Sequence, residues 1–150
     1  MDLILWRHAE ARDGVPDSPR ELTGKGRKQA RAMAAWLESR LPKGARVIAS
    51  PAKRCQQTAA ALPGEFEMLE ALGVGGSASG VLKAAGWPDA TGAVVVVGHQ
   101  PTLGRVAALL LTGEEADWNV KKGGVWWFSS HGRGGEPESV LQSVMSPGLV

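Results

Sequence analysis

The chain reads as an α/β protein built on a central, largely parallel sheet flanked by helices. Three observations carry that reading. The short continuous apolar runs Leu3–Trp6, Val47–Ala49 and Ala93–Val97 have the length and unbroken hydrophobicity of strands buried on both faces. Segments with helical spacing of apolar residues alternate with them. Polar residues stand directly after each run, as Arg7-His8, Ser50-Pro51 and Gly98-His99, and open α/β sheets bind ligands beyond the carboxyl ends of their strands.

After the first strand comes a polar loop from Ala9 to about Thr23. Lys25 to Leu41 then places Ala30, Met33, Ala34 and Leu37 at helical spacing, and Pro42 to Gly44 ends that helix. Behind the strand Val47–Ala49, Ser50 is predicted as an N-cap and Pro51 as the first helical residue, with the helix running to Leu62. Arg54 then lies one turn inside a helix whose N-terminal N–H groups attract anions. Phe66–Leu72 is ambiguous between strand and loop, Gly73 to Gly80 reads as a mobile connection, and Val81–Ala85 as a short helix. Strand Ala93–Val97 leads through Gly98-His99-Gln100-Pro101 into a helix from Thr102 to about Leu111, stopped at Thr112-Gly113. Val125–Ser129 and Val140–Val144 complete the sheet, joined by the Gly-rich segment 131–135. Trp126 and Trp127 are adjacent in a strand, so one ring is expected on each face.

Composition bounds the function. A chain of 150 residues, 43% hydrophobic and 21% charged, fits one domain, read here as residues 1–150. A net charge of +2 gives no argument for nucleic acid or an anionic membrane as partner. Cys55 is the only cysteine, so no intrachain disulfide forms and Cys-based zinc sites are excluded. No run approaches the ~20 apolar residues of a membrane span, and the N-terminus lacks a signal-peptide core. The protein is read as a cytoplasmic monomer with no cofactor and no metal.

Two of the three histidines follow buried strands. Arg7, Arg54, His8 and His99 can converge on one anion, and the forked donors of arginine suit phosphate oxygens. One imidazole would act as nucleophile, with its other nitrogen hydrogen-bonded to fix the tautomer, while the arginines balance charge on the phosphoryl oxygens. A carboxylic acid could protonate a leaving group; Glu10, Glu67 and Glu70 are the candidates by position.

These residues also carry a resemblance. Leu5-Trp6-Arg7-His8-Ala9-Glu10 resembles the opening Arg-His-Gly motif of the histidine phosphatase superfamily, with Ala9 in the glycine's place. Leu22-Thr23-x-x-Gly26-x-x-Gln29-Ala30, Ser50-Pro51-x-x-Arg54-x-x-x-Thr58-Ala59 and Val97-Gly98-His99 resemble its later segments, in order, across residues 3 to about 104. Among its branches, the short chain and His99-Gln100-Pro101-Thr102-Leu103-Gly104 look most like the SixA-type phosphohistidine phosphatases, with Gln100 where that pattern often has Asn. The resemblance implies a phosphoglycerate mutase-like three-layer sandwich without a lid insertion. It implies that His8 is the phospho-accepting nucleophile, that Arg7, Arg54 and His99 complete the phosphate pocket, and that Glu70 best fits the acidic position. The implied partner is a phosphohistidine on a signalling or phosphotransfer protein. A small phosphoester is the alternative substrate, and a non-catalytic phosphate-binding module the alternative from another class. Ala9 can replace the glycine only where the backbone avoids positive φ.

Other patterns carry less. Gly24-Lys25-Gly26-Arg27-Lys28 lacks the Lys-Ser/Thr pair of a P-loop, and Gly73-x-Gly75-x-x-Ala78 has no strong strand before it. Two flanking arginines oppose a cation at His8, Glu10 and His99. Cys55 is read as a helix residue without a catalytic role, His131 as exposed, and Thr58 as a packing residue within hydrogen-bond reach of the site.

Overall fold

The computed structural model of the chain describes residues 1–131 and 138–150. One six-stranded sheet runs through it. Its strands are β1 (Asp2–Arg7), β2 (Arg46–Ala49), β3 (Glu67–Met68), β4 (Ala93–Gly98), β5 (Val125–His131) and β6 (Glu138–Met145), and its helices are α1 (Gly24–Glu38), α2 (Lys53–Ala59), α3 (Ala78–Ala85) and α4 (Thr102–Thr112). The order across the sheet is β3-β2-β4-β1-β5-β6. Neighbours from β3 to β1 pair parallel, whereas β5 and β6 add an antiparallel edge. Past His131, the Gly-rich connection expected over 131–135 lies outside the described residues.

Alternation along the strands builds the three layers. Ile4, Trp6, Val47, Ala49, Val95 and Val97 face α1 and α2, where they meet Met33, Leu37, Cys55 and Ala59. Leu3, Leu5, Ile48, Val94 and Val96 face α3 and α4, packing on Val81, Ala85, Leu103 and Val106. Covering both faces is what lets the central strands read as unbroken apolar runs. Trp127 joins the first layer beside Trp36, and Trp126 the second beside Trp118. No helix among the described residues is long and apolar enough to cross a membrane.

The element boundaries differ from expectation in places that matter. Ser50 and Pro51 do not start a helix. Ala52 is extended, α2 begins at Lys53, and it ends at Ala59 rather than Leu62. The Ser50 hydroxyl instead accepts from the Ala52 N–H and pairs with His99. Because α2 has only seven residues, Arg54 acts through its own charge and not through a helix terminus. Helix α3 begins earlier than predicted, at Ala78, because Ser77 caps it by accepting from the Gly80 N–H. Gly76 is pinned too, its carbonyl accepting from the Thr102 hydroxyl. The ambiguous stretch resolves into β3 and a 3-10 turn, Glu70–Leu72.

Candidate active site

The carboxyl ends of β1, β4 and β2 lie side by side, in register. Trp6 and Ala49 both stand opposite Val97. Beyond them the His8 N–H donates to the Gly98 carbonyl and the Ser50 N–H to the Val97 carbonyl. This alignment brings Arg7, His8, Arg54 and His99 onto one cavity of about 240 Å³, which Asp13, Arg20, Gln100 and Lys122 also line. In the sequence these four residues follow three separate strands; the sheet order makes those strand ends neighbours.

His8 is buried, with its ring centroid 5.4 Å from that of His99. Its Nδ1 lies 2.8 Å from the Ala9 carbonyl. A carbonyl only accepts, so Nδ1 carries the proton and Nε2 keeps its lone pair. Burial pushes the His8 pKa down to about 4; the Ala9 carbonyl opposes that shift, and the charges of Arg54, Arg7 and Arg20 add to it. The ring is therefore neutral near pH 7.

Ala9 is itself held. Its N–H donates to the Thr58 hydroxyl, which donates in turn to the Arg54 carbonyl. No non-glycine residue described has positive φ, so alanine sits at position 9 without backbone strain. One residue further on, the loop meets α1: an added Cβ on Gly26 would stand 1.9 Å from the Glu10 carbonyl oxygen. Glycine at position 26 is what permits that close approach.

His99 is also buried. The Arg54 guanidinium, a pure donor, places Nη2 3.4 Å from His99 Nδ1, so the proton sits on Nε2 and is donated to the Ser50 hydroxyl at 2.7 Å. Burial lowers the His99 pKa to about 3, and Arg54 and His8 push the same way. Cys55 packs beneath, with Sγ 3.6 Å from His99 Nε2. Burial raises its thiol to about 12, which leaves it protonated and unreactive.

The arginines are fixed by carbonyls and one carboxylate. Arg7 Nη1 donates to the Val120 carbonyl at 2.9 Å, and burial holds its guanidinium below the ordinary value. Arg54 donates to the Asp17 carbonyl and carboxylate, at 3.2 and 3.1 Å. The other Asp17 oxygen takes Arg20 Nε and Nη2. Asp17 thus clamps two arginines of the cavity together, and its hydrogen bond from Arg20 first, then that from Arg54, keeps its carboxyl below the usual carboxylate range.

Asp17, Arg20 and Lys122 were not singled out from the sequence. Arg20 lies two residues before the segment Leu22–Ala30, and nothing in its spacing points toward the cavity. Gln100 keeps its amide occupied, accepting from the Gly104 N–H and donating to the Trp118 carbonyl. Among the acid candidates, Glu10 accepts from the Thr23 hydroxyl and Glu67 pairs with Arg46 at 3.0 Å. Glu70 is exposed on its 3-10 turn and does not line the cavity. Asp13 is the one carboxylate among the lining residues. The described residues contain no cluster of three His, Cys, Asp or Glu side chains suited to a metal.

What this arrangement can hold is a tetrahedral dianion, met by guanidiniums and two neutral imidazoles, with one unprotonated ring nitrogen beside it. Residues 3–72 match the model of the histidine phosphatase superfamily (branch 1). The chain is 34% identical over 124 residues to the phosphohistidine phosphatase SixA of Escherichia coli (strain K12), covering 76% of each. A SixA structure from Nakamurella multipartitia superposes with a TM-score of 0.77 at 28% identity, over 97% of this chain and 95% of that one. The protein histidine phosphatase SixA complexed with tungstate, itself a tetrahedral oxyanion, superposes at 0.75 with 25% identity, over 98% and 97%.

Proposed function

The chain belongs to the histidine phosphatase superfamily, and we propose that within it this protein dephosphorylates a phosphohistidine carried by another protein. It is a phosphatase that works through a histidine, and in our reading that histidine is His8. The lone pair on His8 Nε2 forms the new N–P bond as the P–N bond to the substrate breaks, and the departing imidazole keeps the proton it already carries. Arg7 and Arg54 balance charge on the phosphoryl oxygens, with Arg20 behind them, while neutral His99 holds the Arg54 guanidinium beside His8. Water then attacks the phosphohistidine enzyme, loses a proton to solvent, and releases inorganic phosphate with His8 restored.

The single observation that carries this reading is the His8 tautomer: Nδ1 bound to the Ala9 carbonyl, with neutral Nε2 left to attack. The substrate class is supported by what surrounds it. A phosphoramidate leaves as an imidazole that can be protonated before the bond breaks, whereas an alkoxide needs an acid at hand. Glu10, Glu67 and Glu70 stand off the cavity. Identity to the E. coli phosphohistidine phosphatase supports the same class. A cytoplasmic monomer acting in signalling is the setting this reading carries, with Cys55 a buried free thiol.

One feature favours a second substrate class, a small phosphomonoester: Asp13 lines the cavity and could protonate an alcohol.

The test is His8→Ala. Turnover of a phosphohistidine protein should fall by about 10³-fold or more. The wild-type chain should yield an acid-labile, base-stable phosphoryl-enzyme that the variant lacks. Undiminished turnover in the variant would refute the assignment.

A further inference from the structure

We infer that a groove beside the phosphate cavity, lined by Arg7, Gln29, Asn119, Lys121, Lys122 and Ser146, is a second anion subsite. It takes a carboxylate or phosphate carried on the same substrate as the reacting phosphoryl group. The inference rests on the phosphatase reading above and adds to it a rule for which phosphorylated substrates bind best.

The groove and the cavity are neighbours with shared walls. Arg7 and Lys122 line both, and the groove encloses about 370 Å³. Its lining contains three cationic side chains and no Asp or Glu. Neither Lys121 nor Lys122 has a carboxylate partner among the described residues. Gln29 adds an oriented donor. Its Oε1 accepts from the Glu10 N–H at 3.0 Å, which leaves its NH₂ group to donate elsewhere.

The lysines are presented by a built turn. The Gly124 N–H donates to the Lys121 carbonyl at 2.8 Å, and Gly123 at the third position has φ +71°, the type II pattern that calls for glycine there. A Cβ on Gly123 would also stand 2.9 Å from Pro147 Cγ. Four hydrogen bonds stitch this segment to the end of β1: Arg7 Nη1 to the Val120 carbonyl, the Gly123 N–H to the His8 carbonyl, Trp6 Nε1 to the Gly123 carbonyl, and the Arg7 N–H to the Gly124 carbonyl. The strand that positions His8 therefore also positions Lys121 and Lys122. A second anion would meet them at a fixed offset from the reacting phosphorus.

Two substrate pairs test this, each differing by one anion. The first is a phosphohistidine peptide with Asp and Glu flanks against the same peptide with Asn and Gln flanks. The second is a sugar bisphosphate against the corresponding monophosphate. The readout is the ratio of kcat/KM within each pair, which cancels any change in basal activity. Wild type should prefer the extra anion by about 3- to 10-fold, in line with partly exposed charge pairs. That preference should shrink as ionic strength rises. In Lys121→Ala the ratio should fall toward one, and in Lys121→Glu it should drop below one. A preference confined to the peptides assigns the subsite to acidic residues of a protein partner; one confined to the sugars assigns it to a small bis-anion. Ratios of one in both pairs for wild type, or wild-type ratios in Lys121→Glu, overturn the inference. Calorimetric binding of the same four compounds to the His8→Ala chain gives the ratios independently of turnover, so that failure of the chemistry and failure of the subsite are told apart.

Discussion

His8 and His99, on the floor of the cavity, are held by backbone carbonyls, a buried serine and a buried threonine, whereas Asp13 and Lys122, on its rim, are solvent-exposed and Arg20 is partly so. The floor grows out of three adjacent parallel strands whose ends are in register. The rim is drawn from the loop after β1 and the turn before β5. A floor of this kind fixes tautomers and distances to within fractions of an ångström, which the proposed attack at phosphorus needs. A rim of exposed charges sets which substrates approach, with energies that solvent screens. In the proposed reading, chemistry falls to the buried floor and selection to the exposed rim.

If the floor is as desolvated as its geometry implies, its largest signature is on stability. Both imidazoles have folded-state pKa values below the ordinary 6.5, at about 4 for His8 and about 3 for His99. The unfolded chain binds more protons than the folded one between those values, so stability falls as pH drops below about 6.5. By pH 4 the loss is on the order of 3 kcal/mol per imidazole. Thermal unfolding followed from pH 7 to pH 4 should show a steep decline in Tm, flattened in a His8→Gln/His99→Gln double variant. Equal slopes in the two proteins would show that the floor is better solvated than described. No comparable slope is expected from rim variants.

A smaller effect is expected from Thr58, which ties the floor to α2. Thr58→Val removes the acceptor of the Ala9 N–H and strands a buried donor, at a cost of about 1–3 kcal/mol. Because Ala9 also supplies the carbonyl that fixes the His8 tautomer, kcat should fall by roughly 10-fold with KM little changed. Thr58→Ser keeps the hydroxyl and should restore kcat. A packing role alone would give the opposite order, with Val tolerated better than Ser.

The same division explains what was legible in the sequence. Leu3–Trp6, Val47–Ala49 and Ala93–Val97 are buried on both faces, and burial of that kind writes an unbroken apolar run. The two residues after such a run mark a strand end that can be found by inspection, and His8 and His99 stand second after their runs. Ser50 was misplaced as a helix cap because Ser-Pro satisfies two local rules at once. Its hydroxyl is committed to an imidazole 49 residues away, and no local rule contains that partner. Arg20 and Lys122 reach the cavity through loops, and Asp17 reaches Arg54 from the same loop as Arg20. Loop residues have no periodicity to read, and only the folded chain brings Asp17 to Arg54, 37 positions on. Glu70 looked like an acid by position in a segment whose conformation the sequence left open.

Behind the rim, Asp17 gives a modest and directional test. Its carboxylate clamps Arg20 at 2.9 Å and Arg54 at 3.1 Å, yet the Asp17 side chain is 54% exposed, so the pairs contribute little to stability. Asp17→Asn should leave Tm nearly unchanged. Loosening the two guanidiniums should raise KM by about 3- to 10-fold while kcat holds. A fall in KM would mean that the aspartate competes with phosphate for Arg54 instead of aiming it.

The smallest expected effect is at Glu70, and it bears on where the proton comes from. Glu70 is exposed, begins a 3-10 turn, and spends only its backbone carbonyl, which accepts from the Gly73 N–H. A side chain so placed acts on the reacting centre only through solvent-screened charge. Glu70→Gln should therefore change kcat/KM by less than about twofold on both a phosphohistidine peptide and an alcohol phosphate. Asp13→Asn supplies the contrast, since Asp13 does line the cavity. It should spare the phosphohistidine peptide, whose imidazole leaves protonated, and slow the alcohol phosphate several-fold, as loss of a general acid does. A large loss in Glu70→Gln confined to the alcohol phosphate would return the acid role to Glu70. It would also mean that the turn from Glu70 to Leu72 swings over the cavity during turnover, and the division between a rigid floor and a selecting rim would then have to include a moving wall.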